Sequence, residues 1–162
     1  MDDPSAPLRI EPAGAADIPA LIELLGILFS IEQDFRPDAE KQRRGLELLL
    51  RTPETACIMV TRAGAEVIGM ASAQLVVSTA SGALSAWVED VVFRPAYRAR
   101  GHGRALLEAV ARWAAARGAV RLQLLADADN APALAFYRHL AWEPTRLFGW
   151  RKFLRQGDGT SP

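Results

Sequence analysis

The most informative stretch of the sequence is a run of glycines and arginines between an apolar segment and a helical pattern. It reads Arg98-Ala99-Arg100-Gly101-His102-Gly103-Arg104. The N-terminus of a helix presents unpaired backbone N–H groups and a partial positive charge, so it attracts phosphate. Glycine has no Cβ, so an anion can approach its amide closely, and neighbouring arginines add charge-assisted hydrogen bonds. The run predicts a phosphate-binding loop, and the alternative is a glycine-rich turn with solvated arginines.

Other phosphate-binding motifs fit this loop poorly. Position 106 is Leu106, where the dinucleotide fingerprint requires glycine, and the sequence lacks the Gly-Lys-Ser/Thr of a P-loop. A second candidate for chemistry lies just before the loop, where Glu89 and Asp90 precede the apolar residues Val91 to Phe93. A charge on an apolar strand is costly unless it is paired or functional, which favours a role for at least one of the two. Strand alternation places Glu89 with Val91 and Phe93 on one face, and Asp90 with Val92 on the other.

Two separate blocks of the sequence resemble the GNAT acetyltransferase superfamily. Arg98 to Gly103 resembles the family's R/Q-x-x-G-x-G/A signature, and Val91 to Pro95 resembles the strand that precedes it. Asn130 to Leu140 resembles the second conserved block, N-x-x-A-x-x-F-Y-x-x-L, at the family's spacing from the first. One departure is Ala141-Trp142, where the family usually has Gly-Phe, and it concerns local packing.

The resemblance implies that the chain binds acetyl-coenzyme A. The pyrophosphate is expected on the amides of 98–104 and the pantetheine arm along the strand 91–93. This strand and the next, 120–126, are expected to splay apart and form the acetyl-binding cleft. The positions assigned to the cofactor are Val91, Val92, Phe93, Arg98, Ala99, Arg100, Gly101, His102, Gly103, Arg104, Asn130 and Tyr137.

The implied reaction is attack of a neutral amine on a thioester, by direct transfer in a ternary complex. A lysine-like amine has a pKa of about 10.4, so only about one molecule in a thousand is neutral near neutral pH. Glu89 is the predicted base, acting directly or through water. Asp90 or a water chain could be the base instead. The alternative role for Glu89 is a salt bridge. Tyr137 is the predicted acid for the departing thiolate, since it occupies the tyrosine of the second block. The alternative for Tyr137 is a half-buried packing aromatic.

The acceptor is predicted to be a small cationic amine. The Glu89-Asp90 pair followed by the loop resembles the diamine and thialysine acetyltransferases, although glucosamine-phosphate acetyltransferases carry a similar pair. Glu32 and Asp34 lie where the family builds its acceptor pocket, and carboxylates there would attract a cation. Two other functions stay open, a non-catalytic sensor of acyl-coenzyme A and an acetyltransferase of protein N-termini or lysines.

The elements that must position these residues predict an α/β fold with a mixed sheet. We expect about six or seven strands and about four helices on both faces, in one GNAT-like domain over 1–156 with a disordered tail, 157–162. Three consecutive strands favour antiparallel hairpins, and the helix after them requires a parallel crossover. A final strand pair is expected around Glu143–Leu147 and Trp150–Leu154.

Composition limits the other possibilities. The 162 residues include 19 basic and 19 acidic side chains, a balance that argues against nucleic acid or a membrane surface as the main partner. Cys57 is the only cysteine, and the acidic start resembles no signal peptide, so a reducing, cytoplasmic location is expected. No metal spacing is visible. Trp142, Phe148 and Trp150 suit either core packing or a homodimer interface.

Overall fold

The computed structural model describes residues 8–32 and 34–154. The chain divides into two compact units, Met1–Leu124 and Leu125–Pro162. The acidic start and the tail predicted at 157–162 lie outside the described residues, and the single domain over 1–156 stays a prediction. None of the described helices is both long and apolar enough to cross a membrane.

The first unit contains one sheet of five strands in the order β1-β2-β3-β4-β5. Neighbours from β1 to β4 are antiparallel, whereas β4 and β5 are parallel. The three predicted antiparallel strands and the parallel crossover are therefore confirmed. The strands are β1 (Leu8–Pro12), β2 (Ala56–Ala63), β3 (Glu66–Ser78), β4 (Ala83–Phe93) and β5 (Ala119–Gln123).

Two helices, α1 (Ile18–Ile31) and α2 (Ala39–Leu50), cover one face of the sheet. The apolar side chains that recur at helical spacing in α1 are buried, as the periodicity predicts. They form one core with residues of α2 and of the strands. Its buried members are Ile18, Leu21, Leu24, Leu25, Leu46, Ile58, Val60, Val67, Met70 and Val92.

Asp17 has the position and residue type of a cap for α1, but its side chain has a different role. Asp17 precedes α1, but its carboxylate makes no capping hydrogen bond to that helix. Both of its oxygens lie 2.8 Å from Nη2 of Arg62, and one accepts from the N–H of Gly14. Both partners are charged in the pair with Arg62 and both side chains are largely buried, whereas only the carboxylate would be charged in a capping bond, so the pair with Arg62 decides the orientation of Asp17. The cap of α2 is conventional, with Asp38 accepting from the N–H of Lys41.

The third helix, α3 (His102–Ala115), connects β4 to β5. Its buried residues include Leu106, Leu107 and Val110, and it contacts β2, β3 and β5. None of these side chains belongs to the core under α1 and α2, so α3 packs on the opposite face of the sheet. Helices therefore cover both faces, as predicted.

The second unit contains the fourth helix, α4 (Ala131–His139), and a C-terminal segment without strands in its described part. The strand pair predicted at Glu143–Leu147 and Trp150–Leu154 is wrong, so the sheet has five strands where about six or seven were expected. A strand exists only where a partner satisfies its backbone groups, and no described residue pairs with this segment. Its apolar side chains are accordingly exposed, by 85% at Phe148 and 93% at Trp150. The prediction of about four helices is confirmed in the described chain.

The ring of Phe93 in β4 lies directly against Gly69 of β3. A Cβ built on Gly69 would lie 2.4 Å from ring atoms of Phe93, its partner in the antiparallel register. The ring of Phe93 is itself buried, so it has little freedom to move aside. Glycine is required here because the aromatic ring occupies the space of its missing side chain.

The first prediction compares two glycines. Gly69→Ala is expected to destabilise the fold by about 1–3 kcal/mol, because the buried ring of Phe93 must shift. Gly45→Ala in α2 is the control: its Cβ would meet nothing within 4 Å, and alanine favours the helix by about 1 kcal/mol. Urea denaturation measures both free energies of unfolding. Equal effects of the two substitutions would contradict this account of the Gly69–Phe93 contact.

Candidate active site

A β-bulge interrupts β4 at the predicted acidic pair. Ser72 of β3 pairs with Glu89 and Met70 pairs with Val92, so Asp90 and Val91 together oppose the single residue between Met70 and Ser72. Asp90 has a φ of 57°, in the left-handed region. Aspartate tolerates this region better than most residues, and bulges commonly redirect a side chain next to a functional site.

The bulge overturns the predicted faces of β4. Partners in an antiparallel register project on the same face of a sheet, and Met70 and Ser72 are two residues apart on β3. Glu89 and Val92 therefore share the face that α1 covers, whereas plain alternation separates them. The extra residue of the bulge shifts the alternation by one position.

The carboxylate of Asp90 is largely enclosed. Oγ of Ser72, a side chain only 2% exposed, donates to Oδ2 of Asp90 at 3.0 Å. The pKa of Asp90 is raised to about 6: burial is the main cause, the hydrogen bond from Ser72 opposes it, and the charge of Glu89 adds a smaller increase. Asp90 thus titrates close to neutral pH, in the range useful for a general base.

Glu89 occupies a different environment on the same strand. Glu89 is exposed, and its Oε1 accepts a hydrogen bond from Nε1 of the partly buried Trp87 at 3.1 Å. Neither Glu89 nor Asp90 forms an ion pair with a lysine or arginine among the described residues. The salt bridge considered for Glu89 is therefore not formed in the described chain, and two carboxylates without basic partners meet at the bulge.

The pairing of the two parallel strands ends before the acidic pair. Pairing between β4 and β5 is confined to Leu84, Ala86 and Trp87 on β4, and β5 ends at Gln123. The stretch of β4 from the acidic pair to Phe93 thus lacks a β5 partner among the described residues. The splaying of the two strands and the placement of the pantetheine arm here stay predictions.

The glycine-arginine loop leads from β4 into the N-terminus of α3. Gly101 is the N-cap residue with a φ of 80°, and Ala99 is also left-handed, with a φ of 57°. No side chain caps α3, and its first turn contains no acid. Arg98 and Arg100 are exposed beside these amides. The N-terminus of α3 therefore offers N–H groups and positive charge to an anion, as the sequence predicts.

Anchors that the sequence analysis did not identify hold this loop in place. Nε of Arg94 donates to the carbonyl of Val67, and its Nη2 lies 2.8 Å from a carboxylate oxygen of Glu23. Nε of Arg98 donates to the carbonyl of Phe93 at 3.0 Å. Arg98, the first residue of the family signature, thus ties the loop to the end of β4, whereas no sequence signal indicated the contacts of Arg94.

The other cofactor positions of the first unit lie around this loop. The rings of Phe93 and His102 are 6.2 Å apart, at the two ends of the connection between β4 and α3. Gly103 is partly buried and Arg104 exposed in the first turn of α3. Val92 is buried in the core under α1, so only its backbone is available to a ligand.

The predicted acceptor residues Glu32 and Asp34 lie on the connection between α1 and α2. Glu32 ends α1 and donates its N–H to the carbonyl of Leu28, while Asp34 is exposed. The rings of Phe29 and Phe35 are 5.4 Å apart and hold the connection against α1. Gln33, between the two acids, lies outside the described residues.

The second unit positions the two remaining candidates. Asn130 caps α4 by accepting from the N–H of Ala133 at 3.1 Å. Tyr137 is partly buried, with its ring 5.2 Å from Phe136 and 5.5 Å from Trp142. The N–H of Trp142 donates to the carbonyl of Tyr137. Trp142, at the position where the sequence departs from the family pattern, therefore supports the tyrosine from both ring and backbone.

Comparison with protein families decides the class of the molecule. Residues 20–142 match the model of the Acetyltransferase (GNAT) family. The chain belongs to the GNAT acetyltransferase family. No curated protein sequence matches the chain significantly. Acetyl-coenzyme A is the acetyl donor of the family.

Solved structures share this fold at low sequence identity. A possible acetyltransferase from Clostridium difficile 630 has a TM-score of 0.80 and 16% identity, over 92% of this chain and 99% of that chain. An aminoglycoside acetyltransferase from an uncultured soil metagenomic sample, in complex with sisomicin, has a TM-score of 0.73 and 20% identity, covering 91% and 97%. AAC(6')-Iy bound to the bisubstrate analogue CoA-S-monomethyl-acetylneamine has a TM-score of 0.76 and 19% identity, covering 92% and 100%.

The residues of the loop fit acetyl-coenzyme A. A Cβ built on Gly101 meets nothing within 4 Å, so the approach to the amides of α3 is open, and the surrounding side chains are basic. The 98–104 loop would hold the pyrophosphate, and the unpaired edge of β4 would hold the pantetheine arm. When bound, acetyl-coenzyme A supplies the acetyl group as a thioester. Among the described residues no three His, Cys, Asp or Glu side chains are grouped so as to hold a metal ion.

The second prediction concerns Gly101. Gly101→Ala is expected to weaken binding of coenzyme A about tenfold, because a left-handed alanine costs about 1–2 kcal/mol and its methyl group narrows the approach to the amides. Gly82→Ala is the control, since Gly82 also has a positive φ and open space but lies in the β3–β4 turn. Calorimetric titration with coenzyme A compares the two. Equal affinity in both variants would contradict a phosphate site at Gly101.

The third prediction concerns Cys57. Its side chain is only 7% exposed, and burial raises the pKa of the thiol to about 12. A thiol so rarely ionised is a poor nucleophile, which argues against an acetyl-cysteine intermediate. In the folded protein Cys57 is expected to react with Ellman's reagent more than about 100-fold slower than in urea. Rapid labelling of the native protein would contradict this burial.

Proposed function

We propose that the protein transfers the acetyl group of acetyl-coenzyme A to the primary amine of a small cationic molecule. The observation that carries the proposal is the bulge of β4, where Glu89 and Asp90 lack basic partners among the described residues and pairing with β5 has ended. Such carboxylates attract a cation. Glucosamine-phosphate acetyltransferases carry a similar pair, so the preference for a small cationic amine over a phosphorylated sugar rests on the further carboxylates Glu32 and Asp34.

Direct transfer in a ternary complex is the mechanism that these residues support. Cys57 is buried, so the chain offers no accessible thiol for a covalent route. The amine arrives mainly as an ammonium ion, and supplying its neutral form near neutral pH costs about 4 kcal/mol unless a base takes the proton. The strand β4 offers two carboxylates for that proton, Glu89 and Asp90.

Tyr137 is the proposed acid that protonates the departing thiolate. Its ring lies in tilted contact with the rings of Phe136 and Trp142, which limits the positions available to its hydroxyl. Glu32 and Asp34 are the proposed further contacts of the acceptor. The homodimer and the cytoplasmic location expected from the sequence remain predictions.

Two of the similar structures support an amine acceptor. One is an aminoglycoside acetyltransferase bound to sisomicin, and the other contains an acetylneamine bisubstrate analogue. Aminoglycosides are polyamines that are cationic near neutral pH, so the fold accommodates acceptors of the proposed charge class.

The fourth prediction follows thiol release from acetyl-coenzyme A in the presence of candidate acceptors. The set comprises spermidine, a short diamine, a lysine analogue, an aminoglycoside, glucosamine phosphate and a basic peptide. We expect release with a cationic small amine, and a loss of about 100-fold in kcat in Tyr137→Phe with coenzyme A affinity retained. Release with the peptide alone would favour a protein acetyltransferase. Tight binding of acetyl-coenzyme A without release would favour a sensor.

A further inference from the structure

We propose that the two acids of β4 have different roles in the reaction and that Ser72 is a positioning residue. Ser72 holds the carboxylate of Asp90 so that Asp90 accepts the proton of the amine, while Glu89, held by Trp87, binds its positive charge. This inference rests on the proposed function and assigns the roles within it. It replaces the expectation that Glu89 is the base.

The geometry of the bulge distinguishes the two carboxylates. Asp90 is the left-handed residue of the bulge, and this conformation costs about 1 kcal/mol even where aspartate tolerates it. The bulge brings its carboxylate to the hydroxyl of Ser72, which also lies 3.2 Å from the carbonyl of Glu89. The hydroxyl of Ser72 has one proton to donate, so when it donates to Asp90 it does not donate to the carbonyl of Glu89. A strained residue with a buried, dedicated donor is a carboxylate fixed in one orientation.

Glu89 has the features of a charge-binding group. It is exposed, and its carboxylate accepts from the indole of Trp87 at 3.1 Å on the same face of the sheet. An aromatic ring beside a carboxylate is a favourable setting for a cation.

Few other charges act on Asp90. Of the charged side chains on the elements that contact β4, Glu23 of α1 and Glu66 of β3 are paired with Arg94. Arg121 of β5 is exposed and donates to Ser78, and Arg104, Glu108 and Arg112 of α3 are exposed. Glu89 is the charge that raises the pKa of Asp90, and Ser72 is the donor that lowers it.

The proposed step transfers one proton from the ammonium group of the acceptor to Asp90. One N–H bond of the ammonium group breaks, and its proton moves to an oxygen of Asp90, directly or through a water molecule. The nitrogen keeps the electron pair, and Asp90 later releases the proton to solvent. The pKa of Asp90, about 6, leaves its carboxylate ionised and ready to accept above that pH. The donor Ser72 keeps this pKa from rising further, since hydrogen bonding favours the charged form.

The test is the pH dependence of kcat/KM with the best cationic amine. The wild-type acid limb is expected near pH 6. Ser72→Ala removes the donor, so its acid limb moves to higher pH by roughly one unit. Glu89→Gln removes the neighbouring negative charge, so its acid limb moves to lower pH, and its KM for the amine rises. Asp90→Asn loses activity with coenzyme A affinity retained.

The control is Ser85→Ala. Ser85 is also 2% exposed, and its hydroxyl donates to the carbonyl of Arg121, so the substitution removes a buried serine without an acidic neighbour. Its acid limb is expected to stay at the wild-type pH. A ¹³C NMR titration of the Asp90 carboxyl in the same variants provides a second readout that does not depend on activity.

The possible outcomes separate this proposal from the proposed function. A wild-type protein that acetylates no amine overturns both. An active wild type whose acid limb is unmoved in Ser72→Ala, or moves equally in Ser85→Ala, overturns the positioning role. An acid limb that does not follow the NMR titration of Asp90 overturns Asp90 as the proton acceptor.

Discussion

The interruption of β4 at Asp90 is the constraint on which the candidate site depends. One extra residue in this strand shifts the alternation, so that Glu89 and Val92 project on the same face and the carboxylate of Asp90 reaches Ser72. The bulge therefore provides a fixed carboxylate, at the cost of one left-handed residue. The open backbone edge beside it has a separate cause, because β5 ends at Gln123 and leaves the last residues of β4 without a β5 partner in the described chain.

Charge is distributed unevenly along β4. The acidic pair lies within the strand, and the basic loop follows its end. Arg94 and Arg98 use their Nε groups to bind backbone carbonyls, and the loop arginines remain exposed. An anionic donor is thus attracted to the end of β4, and the cationic acceptor that we propose would be attracted to the acidic pair.

Much of the fold could be predicted because local signals and packing agree. The apolar spacing in α1 and the glycine loop before α3 led to the observed elements, and the family resemblance led to the correct class. The strand pair predicted at Glu143–Leu147 and Trp150–Leu154 failed because a strand requires a partner for its backbone, and the local sequence does not show whether one exists. The face assignment of Glu89 failed because a bulge has no reliable sequence signal. The role of Ser72 could not be predicted for the same reason. A serine between two alanines has no sequence signal for this role, which depends on the strand register that brings Asp90 to it.

The most direct test of the central claim is mass spectrometry of a mixture of amines incubated with the protein and acetyl-coenzyme A labelled with ¹³C in the acetyl group. The account predicts a labelled acetyl group on one or more small cationic amines and on no phosphorylated amino sugar. Label that stays on coenzyme A while the protein binds it, or that appears only on the amino sugar, would contradict the role assigned to the acidic pair of β4.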